Sequence, residues 1–313
     1  MTTESLSKAA TRPRDGRAAS LLTADELHTL KRRRDAPALA HLAGMLALLA
    51  STASLVLMAP GVWRWPAMVV HGVVLVHLFA LQHECSHLTV FRRRWLNNAV
   101  AWGCGIVILL APRFFQLEHR DHHRYTQQVG EDPELIPLPR GLGGYLLYLS
   151  ALPYWYGQLD NLLRHAAGRF NDTEMGFIPV AQRGVVIRQA RLILAIHGAL
   201  LVGVLLGGWR VPLWLWWLPL LLGEPFMRFI RMGEHVGRPT VADLTRNTRT
   251  CRVIWPLRFL CWNMNYHAEH HYAPAVPFHA LPELHRRIGG HLPVVRGYAG
   301  AHREILRQLL SRD

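Results

Sequence analysis

Pro66-Ala67-Met68-Val69-Val70-His71-Gly72-Val73-Val74-Leu75-Val76-His77-Leu78-Phe79-Ala80-Leu81-Gln82-His83-Glu84-Cys85-Ser86-His87 is an apolar run, uncharged over 66–82, that ends in two histidines four residues apart. On a helix, residues three and four apart share a face, so His83 and His87 present both imidazoles to one point beside an apolar segment. The pattern recurs in His119-Arg120-Asp121-His122-His123 and in His267-Ala268-Glu269-His270-His271, where each trio is expected to aim at a single point. Neutral imidazole binds zinc, copper, iron or nickel, and eight such groups exceed what one four-coordinate ion uses, so two ions are the natural count. One cluster alone is compatible with solvated histidines or a basic patch; three at helical spacing favour a dinuclear, nitrogen-rich site.

Working outward, residues 38–59 and 66–82 form two apolar runs joined by the Gly61-Val62-Trp63-Arg64-Trp65 turn. Residues 192–209 and 211–223 form a second pair around Arg210 and Pro212. Each approaches the ~20 residues that cross a bilayer. The last must extend to Ile230 and so takes in Glu224 and Arg228. Trp63, Trp65, Trp209, Trp214, Trp216 and Trp217 stand at the ends and turns of these runs, as interfacial aromatics do. The fold class expected is an all-α integral membrane protein with four transmembrane helices in two hairpins.

The net charge is +14, with Arg12, Arg14, Arg17, Lys31, Arg32, Arg33 and Arg34 ahead of the first run, whereas the two hairpin turns carry only Arg64 and Arg210. The positive-inside rule places both termini and the central loop in the cytoplasm. With no nucleic-acid recognition motif, the charge fits anionic lipid headgroups and not a nucleic acid. The four cysteines, Cys85, Cys104, Cys251 and Cys261, form no C-x-x-C pair, so neither a disulfide framework nor an iron–sulfur motif is expected. No signal peptide is expected. Three regions follow: a basic cytoplasmic arm over 1–35, disordered over 1–20; a membrane catalytic domain over 36–290; and a helical cytoplasmic tail over 291–313.

The first histidine cluster follows the second span and emerges on the cytoplasmic side. If Leu96–Pro112 crossed the membrane, His119 would land on the opposite side. This stretch, broken by Gly103 and Gly105, is therefore read as re-entrant or interfacial, and Tyr145–Leu159 as interfacial. All three clusters then share one cytoplasmic cap. His71 and His77 are expected to hydrogen-bond neighbouring helices, and Glu224 to meet a polar substrate group or a packing partner such as Arg228.

His83-Glu84-x-x-His87 also satisfies the H-E-x-x-H signature of a zinc metalloprotease, which would leave the other two clusters idle. A metal transporter is a second alternative, although transport sites lie near the bilayer midplane and these clusters lie at span ends.

The series H-x-x-x-H, H-x-x-H-H, H-x-x-H-H resembles the integral membrane fatty acid desaturases from about residue 66 to 285. Asp132-Pro133, Arg231-Met232-Gly233-Glu234-His235, Asn247-Thr248-Arg249-Thr250, Asn263-Met264-Asn265-Tyr266 and Leu281-Pro282-Glu283-Leu284-His285 look like that family's bacterial members. The resemblance implies two iron ions, O2 as co-substrate, and removal of two hydrogens from the acyl chain of a lipid, with hydroxylation the nearest alternative. It also implies a ninth histidine, the role His235 matches by position. Glu84, Asp121, Glu234 and Glu269, interleaved with these histidines, are expected to accept imidazole N–H groups, with Arg249 and Asn263 in support. No haem, flavin or iron–sulfur motif is encoded, and no His-Pro-Gly-Gly signature of a fused cytochrome b5. Electrons are therefore expected from an external ferredoxin or cytochrome b5 type carrier, at a bacterial inner membrane.

Overall fold

The structure is a computed structural model describing residues 21–311, so the expectation of disorder over 1–20 lies outside the described residues. The chain is mostly helical, and the apolar runs form its long helices. After α1 (Ala24–Leu30), α2 (Asp35–Met58) takes up the first run and stops at Ala59, which is already extended ahead of Pro60. One turn at Gly61–Trp63 reverses the chain into α3 (Arg64–Val76), continued past a break at His77 by α4 (Leu78–Ser86).

α5 (Arg94–Val107) and α6 (Pro112–Tyr125) meet at 104°. Leu109 adopts a left-handed conformation in the bend, and a Cβ on Gly105 would lie 2.4 Å from the Leu110 carbonyl oxygen, so glycine is what lets the chain fold back. Such a bend fits both a re-entrant element over 96–112 and a single broken span. α7 (Gly141–Leu149) and α8 (Leu152–Ala166), joined at left-handed Ala151, expose Leu142, Leu146, Leu152, Tyr156 and Leu163.

After the short α9 (Asp172–Phe177), α10 (Val180–Gly207) begins well ahead of the apolar run at 192, and its first turns dock on α6. Gln182 accepts from the Arg113 side chain at 2.9 Å and Gln189 from the Arg113 backbone N–H at 2.8 Å. Gly208, left-handed, ends α10. The chain returns through a wide turn at Leu213–Trp217 and α11 (Leu218–His235). Among the described residues, α2, Gly61–Ser86 and α10 are long and apolar enough to cross a membrane, and the bent α5–α6 pair makes a fourth if read as one span. The expected span over 211–230 is helical but does not pass that test. Its Glu224 is buried and paired with Arg228 at 2.6 Å, the packing partner foreseen.

α3 and α11 touch backbone to backbone. A Cβ on Gly72 would lie 1.9 Å from the Pro219 carbonyl oxygen, and one on Gly223 would lie 2.3 Å from the Gly72 carbonyl. Small residues at such a crossing allow close helix packing. His71 reinforces it, with Nδ1 2.8 Å from the Thr52 hydroxyl and Nε2 3.1 Å from the Leu215 carbonyl. The contact fixes where α4 and α11 end, and both end at histidines.

The C-terminal segment wraps these ends. α12 (Trp255–Leu260), α13 (His267–Tyr272), α14 (Leu281–Ile288) and α15 (Gly297–Leu310) follow one another, and β1 (Thr250–Cys251) pairs in parallel with β2 (Val294–Val295). α15 buries Ile305 and Leu309 against Met232, Val236 and Tyr145.

Gly72→Ala is expected to lower the melting temperature of detergent-purified protein markedly, by overpacking that costs about 1–3 kcal/mol or more. Gly198→Ala, where a Cβ meets nothing within 4 Å, is the control. Equal melting of the two variants would show that the crossing is not tight.

Candidate metal centre

Four chain segments bring nine histidines together. α4 and its C-cap supply His83 and His87, α6 supplies His119, His122 and His123, α11 ends in His235, and α13 supplies His267, His270 and His271. Their nitrogens gather in two sets, each within 4.8 Å: His83, His87, His119, His123 and His270; and His122, His235, His267 and His271. The expectation that each trio aims at one point is corrected here. The first and last histidines of a trio, four residues apart, serve one set, and the middle one serves the other, because the third and fourth positions lie on either side of the first around the helix. Each trio therefore ties both sets together.

Hydrogen bonding orients the rings. His119 Nδ1 lies 2.7 Å from Glu134 and His122 Nδ1 lies 2.8 Å from Asp132, and since an ionised carboxylate only accepts, both N–H groups are on Nδ1. The Thr126 hydroxyl donates to the His122 carbonyl at 2.7 Å and so faces His271 Nδ1, 3.1 Å away, as acceptor. The Nε2 lone pairs are left pointing inward. Nε2–Nε2 separations are 3.0 Å for His119–His123, 3.1 Å for His123–His270, 2.9 Å for His235–His267 and 3.1 Å for His267–His271. His83, His87 and His122 have buried Nε2 atoms with no partner. At least His119, His122 and His271 carry inward Nε2 lone pairs in this crowd of nitrogens, and a cation in each set would satisfy them, so the donor set fits two metal ions. Burial and the neighbouring imidazoles push His267, His270 and His271 well below the ordinary histidine range, which keeps them neutral as ligands must be.

Asp132 and Glu134 are functional residues the sequence reading did not single out as ligand partners; Asp132 entered only through the Asp132-Pro133 resemblance. Glu134 also holds Arg231 at 2.7 Å, and Arg231 holds Glu234 at 2.6 Å. Glu234 stands 3.8 Å from His267 Nε2. Glu84 is fully buried, accepts the Phe278 N–H at 3.1 Å and stands 3.7 Å from Nδ1 of both His83 and His270.

Four expected partners are elsewhere. Asp121 and Glu269 each sit two residues after the first histidine of a trio, on the opposite side of the helix. Asp121 pairs with exposed Arg120 at 2.9 Å, and Glu269 accepts from the Thr250 hydroxyl and from His285. Arg249 donates to the Val236 carbonyl at 2.6 Å, closing the end of α11, and its nearest carboxylate is Glu304 at 3.9 Å. Asn263, left-handed, donates to the Phe278 carbonyl at 3.0 Å and braces the loop that faces Glu84.

Residues 60–298 match the sequence profile of the fatty acid desaturase family. The chain belongs to that family. As a fatty acid desaturase family member it is an oxidoreductase of the desaturase type. It is similar to the sn-1 oleoyl-lipid 12-desaturase of Picosynechococcus sp., 24% identical over 253 residues that cover 75% of this chain and 72% of that one. It is also similar to a sphingolipid delta(4)-desaturase of Drosophila melanogaster, 25% identical over 239 residues, 72% and 66% of the two chains. The sn-1 acyl-lipid omega-3 desaturase (ferredoxin) of Nostoc sp. is 25% identical over 170 residues, 51% of this chain and 45% of that one. The zinc-protease alternative falls: Glu84 is engaged with Phe278, and the two histidines of the motif share their set with three others.

Two openings adjoin the desaturase centre. A small cavity touches one histidine of each set, His83 and His267, and is walled by Phe79, Met227, Ile230 and Met264 with the Arg231–Glu234 pair. A groove open to the surface reaches His87 and His123 between Arg113 and Arg120.

Asp132→Asn and Glu134→Gln are each expected to weaken metal retention about 10- to 100-fold in chelator competition, while Asp121→Asn leaves it unchanged. An equal loss in all three would remove the assigned difference.

Proposed function

We propose that this chain is an O2-dependent di-iron desaturase that forms a double bond in the acyl or alkyl chain of a membrane lipid. The observation that carries the reading is the partition of nine histidines into two sets tied together by shared trios. Two iron ions held there would supply the oxidising power, with O2 and two external electrons, to remove one hydrogen from each of two adjacent unactivated methylenes. The rest is the work of the protein. Glu134, Asp132 and Thr126 hold His119, His122 and His271 with their Nε2 lone pairs turned inward. The small cavity at His83 and His267 would position the reacting carbon beside both sets. Phe79 and Arg231, whose guanidinium lies 5.3 Å from the Phe79 ring, also border a larger cleft beside α8, lined by Phe114, Phe115 and Tyr154, through which a lipid chain reaches the cavity.

Four spans in two hairpins, with α11 as the fourth, put all nine histidines on the cytoplasmic side of a bacterial inner membrane with both termini. The paucity of positive charge in the hairpin turns supports this orientation. The Arg113–Arg120 groove suits an acidic ferredoxin or a cytochrome b5 type carrier, delivering electrons where His87 and His123 come nearest to solvent.

His270→Ala and His122→Ala, one in each set, are expected to lose bound iron together with lipid double-bond formation while still inserting into the membrane. Full iron retention in either variant would remove that residue from the ligand set. Turnover with an acidic ferredoxin is expected to fall as ionic strength rises past physiological, and Arg120→Glu to raise the KM for the donor; salt-independent turnover would argue against the groove.

A further inference from the structure

The expectation that His77 bonds a neighbouring helix, as His71 does, is not met. Its Nδ1 lies 2.6 Å from the Val73 carbonyl of its own helix. A carbonyl only accepts, so the ring N–H is on Nδ1 and Nε2 is a bare acceptor. His77 is fully buried, Nε2 has no partner, and the side chain lines the small cavity beside His83 and His267. From α15, Tyr298 reaches the same cavity, also buried, its hydroxyl against the Cys261 thiol and without a nitrogen or oxygen partner. The remaining wall is Phe79, Ala80, Met227, Ile230, Met264 and Cys261, with the Arg231–Glu234 ion pair, whose charges already satisfy each other, at one side. A leucine and a phenylalanine would line such a cavity at lower cost, because an unsatisfied buried polar group destabilises the fold. The free space, about 20 Å³, admits one water-sized group.

We propose that the substrate chain carries a hydroxyl close to the carbon that reacts, and that His77 and Tyr298 recognise it. A hydroxyl both donates and accepts, so one such group gives a proton to His77 Nε2 and takes one from Tyr298, satisfying both. A plain hydrocarbon would leave His77 Nε2 orphaned and Tyr298 with only the weak Cys261 thiol, and is disfavoured for that reason. Because the cavity touches a histidine of each set, the recognised carbon is a near neighbour of the one oxidised. This substrate class rests on the desaturase reading of the same centre.

The test compares lipids identical except for one chain hydroxyl, moved position by position, with the unsubstituted lipid, using metal-loaded protein in detergent. Equilibrium binding and product analysis are both read. One hydroxyl position is expected to bind roughly tenfold tighter than the plain chain. That ratio is expected to fall to near one in His77→Leu and in the nearly isosteric Tyr298→Phe, with metal content at the wild-type value as the folding control. No preference at any position, or a preference that survives both variants, would overturn the proposal and leave the cavity holding a buried water only. Hydroxyl preference in binding with no double bond formed in any lipid would sink the desaturase reading and leave this inference standing. Equal binding and conversion of plain and hydroxylated chains would do the reverse.

Discussion

Nine imidazoles crowd their ring nitrogens into two buried sets, a crowding that a cation in each would relieve, and the long helices are placed to hold them in that arrangement. Three devices set those placements. The Gly72–Gly223 crossing brings the ends of α4 and α11 together. The reversal at Gly105 and Leu109 turns α6 back toward them. The loop after β1 delivers α13 from the other side, with the Cys251 N–H donating to the Asn265 carbonyl at 2.9 Å. Remove any one and a histidine cluster loses its register with the others.

Behind the imidazoles lies a layer of fixed acceptors, of which Asp132 and Glu134 come from the loop after α6, a segment that carries no ligand. Asp132 also takes the Gln127 N–H at 2.8 Å, while the Gln127 side chain donates to the His235 carbonyl at 2.7 Å, so one short loop orients α6 and α11 together. Arg231 spans the two sets through Glu134 and Glu234, coupling His119 on one side to His267 on the other. The centre is also asymmetric. Its four-histidine set is buried throughout, and in the five-histidine set only His87 and His123 are partly exposed, on the side of the arginine-lined groove. The small cavity at His83 and His267 and the groove at His87 and His123 thus reach the centre at different histidines.

Much of this was legible in the sequence because helical spacing is a local property. The three clusters, the apolar runs and the Glu224–Arg228 pair were all readable from offsets of three and four. What the sequence could not convey depends on which side of a helix faces which partner. Asp121 and Glu269 read as neighbours of histidines yet sit at an offset of two, on the wrong side, whereas Asp132 and Glu134 are ten and fifteen residues from the histidines they hold and reach them only after the chain turns. The split of each trio between two sets is likewise tertiary, fixed by where α4, α11 and α13 end. His77 lies two helical turns before His83 on an apolar helix, and only the packing around it reveals that its outer nitrogen has no partner.

Iron K-edge X-ray absorption on iron-loaded protein, with the iron count per chain measured on the same sample, tests the central claim most directly. Two irons per chain in shells dominated by imidazole nitrogen, averaging between four and five histidines per iron, are predicted from the five and four found in the two sets. A single ion per chain, or a shell dominated by carboxylate oxygen, would contradict the account.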